Sequence, residues 1–343
     1  MRKIVGEKME YILESEINNW EMEVYIWYRD SSVNMLSIRT IPFNTSIIFR
    51  KTILDVIDKK GKILYLWAKN CENKSLVGAL KERNKAITSY YMEDNEGVCD
   101  INFCNYNNID KISGSYDLVI YDDVAVFSEA DTKYLKSISK SILRLAKKVI
   151  FYDTEHTIKK CQHMDFLPSD NPAPFVEPRV LKTRINLNLD IPYILYEYLK
   201  WFAENKRKII IYVPDEEKII SVYEYYTKKL KMKRIKIIPL LASEEKIIKQ
   251  SVLQSTNEST IIITNCIEVS LENSHIGNAI VLFADDKRFT YKKLLFLCAE
   301  MRRINKELPE VLLVAKGETD NIEAVRDITR EYNRLKWEEN VLK

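Results

Sequence analysis

The stretch that decides the fold runs from Tyr116 to Phe127 and reads YDLVIYDDVAVF. Its apolar run, Leu118 to Tyr121, stops at two adjacent carboxylates, Asp122 and Asp123. A short run rich in β-branched and aromatic residues predicts a strand buried in a parallel sheet. The acids that follow have two readings. In one, the strand has surfaced into a loop. In the other, the first acid holds a magnesium ion through water and the second orients an attacking water, as in nucleotide hydrolases.

Working outward, the chain alternates short β-branched runs with amphipathic stretches, which predicts parallel sheets covered by helices. Phe49, Ile53, Val56 and Ile57 repeat at helical spacing before Gly61, and Ile63 to Trp67 follows as a strand. Tyr134, Leu135, Ile138, Ile142 and Leu145 form one helical face, and Val149 to Tyr152 is the next strand. Between Leu167 and Arg179 the sequence LPSDNPAPFVEPR carries four prolines, which block both helix and ladder hydrogen bonding. Beyond it come a helix around Ile191 to Phe202 and strands at Ile209–Val213, Arg234–Ile238, Thr260–Thr264, Ile280–Phe283 and Val311–Val314. The expected organisation is a first α/β domain over 1–167, a proline-rich linker over 168–182 and a second α/β domain over 183–343. Two such domains joined by a short linker are expected to form a ligand-binding cleft.

Composition narrows the function classes. A chain of 343 residues, 46% hydrophobic, has material for two cores. No stretch approaches the ~18 consecutive apolar residues of a bilayer span, and the amino terminus lacks a signal-peptide core, so no membrane insertion and a cytoplasmic location are expected. The six cysteines are scattered without a C-x-x-C pair. Cys161, His163 and His156 form a trio without a fourth zinc ligand. A net charge of +3 does not announce nucleic acid by itself. The densest basic cluster, Lys228 to Lys236, reads as the solvated end of a helix, where cations favour the dipole. Seven isolated glycines, at 6, 61, 78, 97, 114, 277 and 317, exclude both G-x-G-x-x-G and G-x-x-x-x-G-K-[ST].

Taken in order from Leu36 to Arg334, the motifs resemble superfamily 2 helicases and, within them, the ComFA-type DNA translocase ATPases of natural competence. YDLVIYDDVAVF is similar to that family's D-E-V-D-A-F acidic motif. The segment TNCIEVSLENSHIGNAIVLFADDKRFTYKKLLFLCAEMRR is similar to the one carrying its fifth and sixth motifs. The resemblance implies two RecA-like domains of the P-loop NTPase type, ATP and magnesium as cofactors where activity is retained, and single- or double-stranded DNA as partner.

The departures are equally specific. Where the family has G-x-G-K-T this chain reads Pro42-Phe43-Asn44-Thr45-Ser46, which leaves Thr45 and Ser46 as remnants of a phosphate loop. The glycines that let amides cradle phosphate oxygens are gone, and so is the lysine that reaches the terminal phosphates. Asp122 keeps the metal-holding position, for magnesium if a nucleotide binds; Asp123 is one methylene shorter than the family's glutamate, and Ala125 replaces the last acid. Asp153-Thr154-Glu155-His156 stands for S/T-A-T, and Val269-Ser270 stands for R-G after Glu268. In the sixth motif Arg303 remains, but Glu300 takes the place of the first arginine. An arginine there is worth roughly 10³–10⁵ in rate in related enzymes, and a glutamate repels the same developing charge. No cysteine precedes Cys71, so the zinc module that the resemblance would place before the first domain is not expected here.

Three functions follow as expectations. The first is a helicase-like protein that binds nucleic acid or a competence partner with ATP hydrolysis lost or weak, with Lys81, Arg83 and Lys85 as candidate phosphate contacts. The second is an active ATP-dependent DNA translocase with a divergent site built on Ser46, Asp122, Asp123 and Arg303. The third is an interaction scaffold that has abandoned nucleic acid as well.

Overall fold

The computed structural model describes residues 14–42, 44–92, 99–125, 130, 132–168, 174–232, 235–241, 259–267, 276–301 and 309–341. The chain forms two compact units, Met1–Pro172 and Ala173–Lys343.

The first unit opens with helix α1 (Glu14–Arg29) and strand β1 (Met35–Thr40). Helix α2 (Arg50–Asp58), strand β2 (Ile63–Trp67), helix α3 (Lys74–Arg83) and strands β3 (Ser89–Tyr91) and β4 (Ile101–Asn105) follow. Strand β5 (Tyr116–Asp122), helix α4 (Thr132–Leu145) and strands β6 (Ala146–Asp153) and β7 (Gln162–Phe166) come next. The seven strands pair in parallel in the order β3-β4-β2-β5-β6-β1-β7. The deciding stretch is β5, and its side chains explain why the run is continuous. Leu118 and Ile120 enter the core cluster on one face of the sheet while Val119 and Tyr121 enter the cluster on the other. Each such fully buried aliphatic side chain contributes about 1.5–3 kcal/mol.

Helix α1 is fixed to this sheet by its apolar stripe, with Trp20, Val24 and Trp27 buried and Trp20 stacked on Phe166 at 5.2 Å. Its carboxyl end is capped from β6: the buried Lys148 ammonium donates to the carbonyls of Trp27, Asp30 and Val33. These carbonyls lie at the helix end and in the following turn, where the orphan acceptors of a helix need outside donors; that of Trp27 also accepts from the Asp30 amide at 3.1 Å.

The second unit comprises β8 (Arg179–Lys182), α5 (Tyr193–Glu204), β9 (Lys208–Tyr212), α6 (Glu216–Glu224), β10 (Lys236–Leu240) and β11 (Thr260–Thr264). Strand β12 (Ile276–Leu282), helix α7 (Tyr291–Met301), strand β13 (Glu310–Ala315) and helix α8 (Asp320–Val341) follow. Among the described residues its six strands are parallel in the order β10-β11-β9-β12-β13-β8. The last four residues of the segment read as linker, Arg179–Lys182, are strand β8. They follow the final proline, Pro178, and pair with Leu312 to Ala315 of β13. Among the described residues no helix is long and apolar enough to cross a membrane.

Candidate functional site

In a parallel sheet all strand ends of one kind lie along one edge, and ligand sites form at the carboxyl ends. Strands β1 and β5 flank β6, which brings the loop after Thr40 beside the acids after Tyr121. That loop leads into a 3₁₀ turn, Ser46–Phe49, which continues as α2. Thr45 caps the turn, its hydroxyl accepting from the Ile47 amide at 3.0 Å. The Thr45 amide donates to the Asn44 side-chain carbonyl at 2.6 Å, and the Asn44 amide donates to the Ile41 carbonyl at 3.3 Å. Pro42 has no N–H. Amides at 44, 45 and 47 are therefore turned into the loop itself, where a phosphate cradle would aim them outward. Asn44, Thr45 and Ser46 are all buried, and the Tyr152 hydroxyl closes over the loop by donating to the Thr45 carbonyl at 3.1 Å.

Asp122 is completely buried. Its Oδ1 accepts from the amides of Val124 and Ala125 at 2.9 and 2.8 Å. Its Oδ2 accepts from the Ser46 hydroxyl at 2.9 Å and from the Tyr65 hydroxyl. An ionised carboxylate has about four lone-pair sites, and protein donors take all of them. Asn73 extends the network, its side-chain N–H₂ donating to Ser46 Oγ at 2.9 Å while its carbonyl caps α3 at the Leu76 amide. Burial pushes the Asp122 carboxyl above its ordinary value, opposed by the bonds from Ala125, Tyr65, Val124 and Ser46. Burial and the neighbouring Asp122 carboxylate together push the Tyr65 phenol well up. A magnesium ion or its water must displace Ser46 or Tyr65 to reach Oδ2, so the residues as arranged do not fit a magnesium triphosphate.

The structure thus brings together three residues picked from sequence, Thr45, Ser46 and Asp122. Asp123 is buried beside them, its amide donating to the Tyr152 carbonyl at 2.9 Å. Lys81, Arg83 and Lys85 are exposed at the carboxyl end of α3 and the turn after it, where the chain heads for the start of β3. This is the opposite sheet edge from Asp122, so they share no site with it. Arg303 and the Glu268 to Ser270 motif lie outside the described residues. Glu300 is buried in α7, where its charge adds to the burial that raises the Tyr212 phenol of β9.

The segment that stands for S/T-A-T, Asp153 to His156, ends in a polar cluster of its own. His156 Nδ1 lies 2.9 Å from Ser37 Oγ and Nε2 lies 3.1 Å from Asp165 Oδ1, while Arg39 pairs with the same carboxylate at 2.6 Å. His163 stacks on His156 at 4.2 Å, and the Cys161 thiol donates to the Ile158 carbonyl at 2.9 Å. Among the described residues no group of three such side chains could hold a metal ion.

Tyr65 and Asn73 were not picked out from sequence. The available signal was a tyrosine inside the otherwise apolar strand ILYLW, because a buried phenol needs a hydrogen-bond partner.

Among solved structures, the chain is similar to the E. coli DExH-box NTPase HrpB, at 13% identity over 91% of this chain and 42% of that one, with a TM-score of 0.53. It is also similar to the DUF1998 helicase MrfA bound to DNA and AMPPNP, at 13% identity over 95% of this chain and 53% of that one, TM-score 0.48. For RecG bound to a three-way DNA junction the values are 12%, 93% and 46%, with a TM-score of 0.44. The chain spans about half the length of these proteins. No protein-family model matches it, and no curated protein does. Two all-parallel sheets and the likeness to HrpB define the fold as a pair of RecA-like α/β units.

Proposed function

We propose that the chain is a helicase-like protein related to the ComFA-type DNA translocases of natural competence, acting in the cytoplasm by binding nucleic acid or a competence partner, with ATP hydrolysis lost or weak. The observation that carries this reading is the saturation of Asp122 by Val124, Ala125, Ser46 and Tyr65. The inward-turned amides of Asn44, Thr45 and Ile47 and the absence of a phosphate-loop lysine support it further, since preorganised donors aimed at developing charge are the largest part of such catalysis. ATP turnover with magnesium, measured with and without single-stranded DNA, tests it. The expected result is background turnover in both the parent chain and Asp122→Ala. DNA-stimulated turnover that the substitution abolishes would overturn it.

A second reading, an active translocase with a divergent site, is favoured by the Ser46 hydroxyl standing 2.9 Å from Asp122 Oδ2. Those are the two groups that share a magnesium ion in P-loop enzymes. The same assay separates the two readings.

A further inference from the structure

The amino-terminal edge of the second sheet carries a basic and aromatic surface that no part of the nucleotide site uses. Lys236, Thr260 and Lys208 lie side by side at the starts of β10, β11 and β9. The Lys236 amide donates to the Ser259 carbonyl at 2.9 Å, the Ser259 hydroxyl to the Ala203 carbonyl at 2.8 Å, and the Thr260 amide to the Arg207 carbonyl at 3.2 Å. The end of α5, the turn after it and three strand starts are therefore one continuous hydrogen-bonded surface.

On it Trp201 is 43% exposed, and the Arg207 guanidinium lies 4.5 Å over the indole ring. Lys206, Lys228, Lys229, Lys231 and Lys236 are exposed. Lys206 and Lys231 have φ of 53° and 47°, left-handed values that glycine adopts at lower cost at a helix end. The described residues of segments 200–208 and 224–236 hold eight lysines and arginines against two glutamates, a net of +6 in a chain whose total is +3. Concentrated positive charge around an exposed aromatic platform is the chemistry that takes up single-stranded nucleic acid: lysines follow the phosphates and the indole stacks a base.

We infer that this strand-start edge of the second unit, centred on Trp201, Arg207, Lys206 and Lys236, is a binding surface for single-stranded nucleic acid. The inference rests on the nucleic-acid reading above and adds a location to it. An acidic protein segment would use the lysines but not the indole face.

The test is fluorescence anisotropy of the full chain with a labelled oligothymidylate of about 20 nucleotides across a salt series. Trp201→Ala is expected to weaken binding about tenfold at fixed salt with the salt slope unchanged. Lys206→Glu with Lys236→Glu is expected to lower the slope of log K against log salt by about 1.4. The same number of reversals at Lys136 and Lys140 on α4 should leave the slope unchanged. Circular dichroism confirms that each variant is folded. Parent binding that survives both edge variants overturns the location and leaves the nucleic-acid reading standing; no parent binding at low salt overturns both. Loss with the lysine variant but not with Trp201→Ala assigns the surface to acidic polymers in general and overturns the inference.

Discussion

Tyr65, in the middle of β2, donates a hydrogen bond to Asp122 at the carboxyl end of the neighbouring strand β5. The strands are in register with Leu66 opposite Tyr121, so the phenol and the carboxylate meet on one face across a single ladder. A protein hydroxyl thereby occupies an acceptor position that a metal-bound water would need, and the network of Ser46 and Asn73 closes around it.

Tyr65→Phe removes that donor and leaves Asp122 buried with three hydrogen bonds from Ser46, Val124 and Ala125. The expected cost is about 1–2 kcal/mol, the typical penalty for a buried group that loses a charge-assisted partner. Asp122→Ala should cost more, about 3 kcal/mol, because it strands two hydroxyls and two amides at once. Urea unfolding followed by tryptophan fluorescence gives the ranking, and equal midpoints for the parent and Tyr65→Phe would contradict the hydrogen bond.

Lys148→Met should destabilise the first unit by about 2–3 kcal/mol. The thioether keeps most of the packing over Trp27, whose ring lies 4.9 Å from the ammonium, but cannot donate to the carbonyls of Trp27, Asp30 and Val33. Proteolysis near α1 should accelerate in step, and an unchanged cleavage rate would show that the helix is held by its apolar stripe alone.

The Asp165 carboxyl carries the clearest acid dependence. Burial pushes it up, yet the hydrogen bonds from His156 and Arg39 and the Arg39 charge outweigh burial and hold it well below the ordinary range. Its folded value lies below its unfolded one, so its contribution is fully present above the unfolded value of about 4 and is lost as pH falls below that. Stability measured between about pH 5 and pH 2 should fall less steeply in Arg39→Ala than in the parent. Identical slopes would mean that the pair is not formed.

Much of this fold was legible in the sequence for a physical reason. Strands such as Ile63–Trp67 and Thr260–Thr264 are buried throughout, so their composition has no competing reading. The edge strands β7 and β8 were not legible, because QHMDF and RVLK are largely exposed or half-buried and carry no apolar run. Helix α1 was missed as well, since its buried stripe is mainly two tryptophans and a valine among many polar residues. In the site, motif order pointed to Ser46 and Asp122. Their partners could not be read, because Tyr65 and Asn73 meet Asp122 and Ser46 across separations of 57 and 27 residues that no local pattern encodes.

The most direct measurement is a titration of the full chain with a fluorescent ATP analogue and magnesium, with and without single-stranded DNA. With Asp122 saturated by its own chain and the amides of Asn44, Thr45 and Ile47 turned inward, no saturable signal is expected up to about millimolar nucleotide, where binding free energy is only about 4 kcal/mol. Saturable, magnesium-dependent binding that Asp122→Ala abolishes would contradict the loss of the nucleotide site.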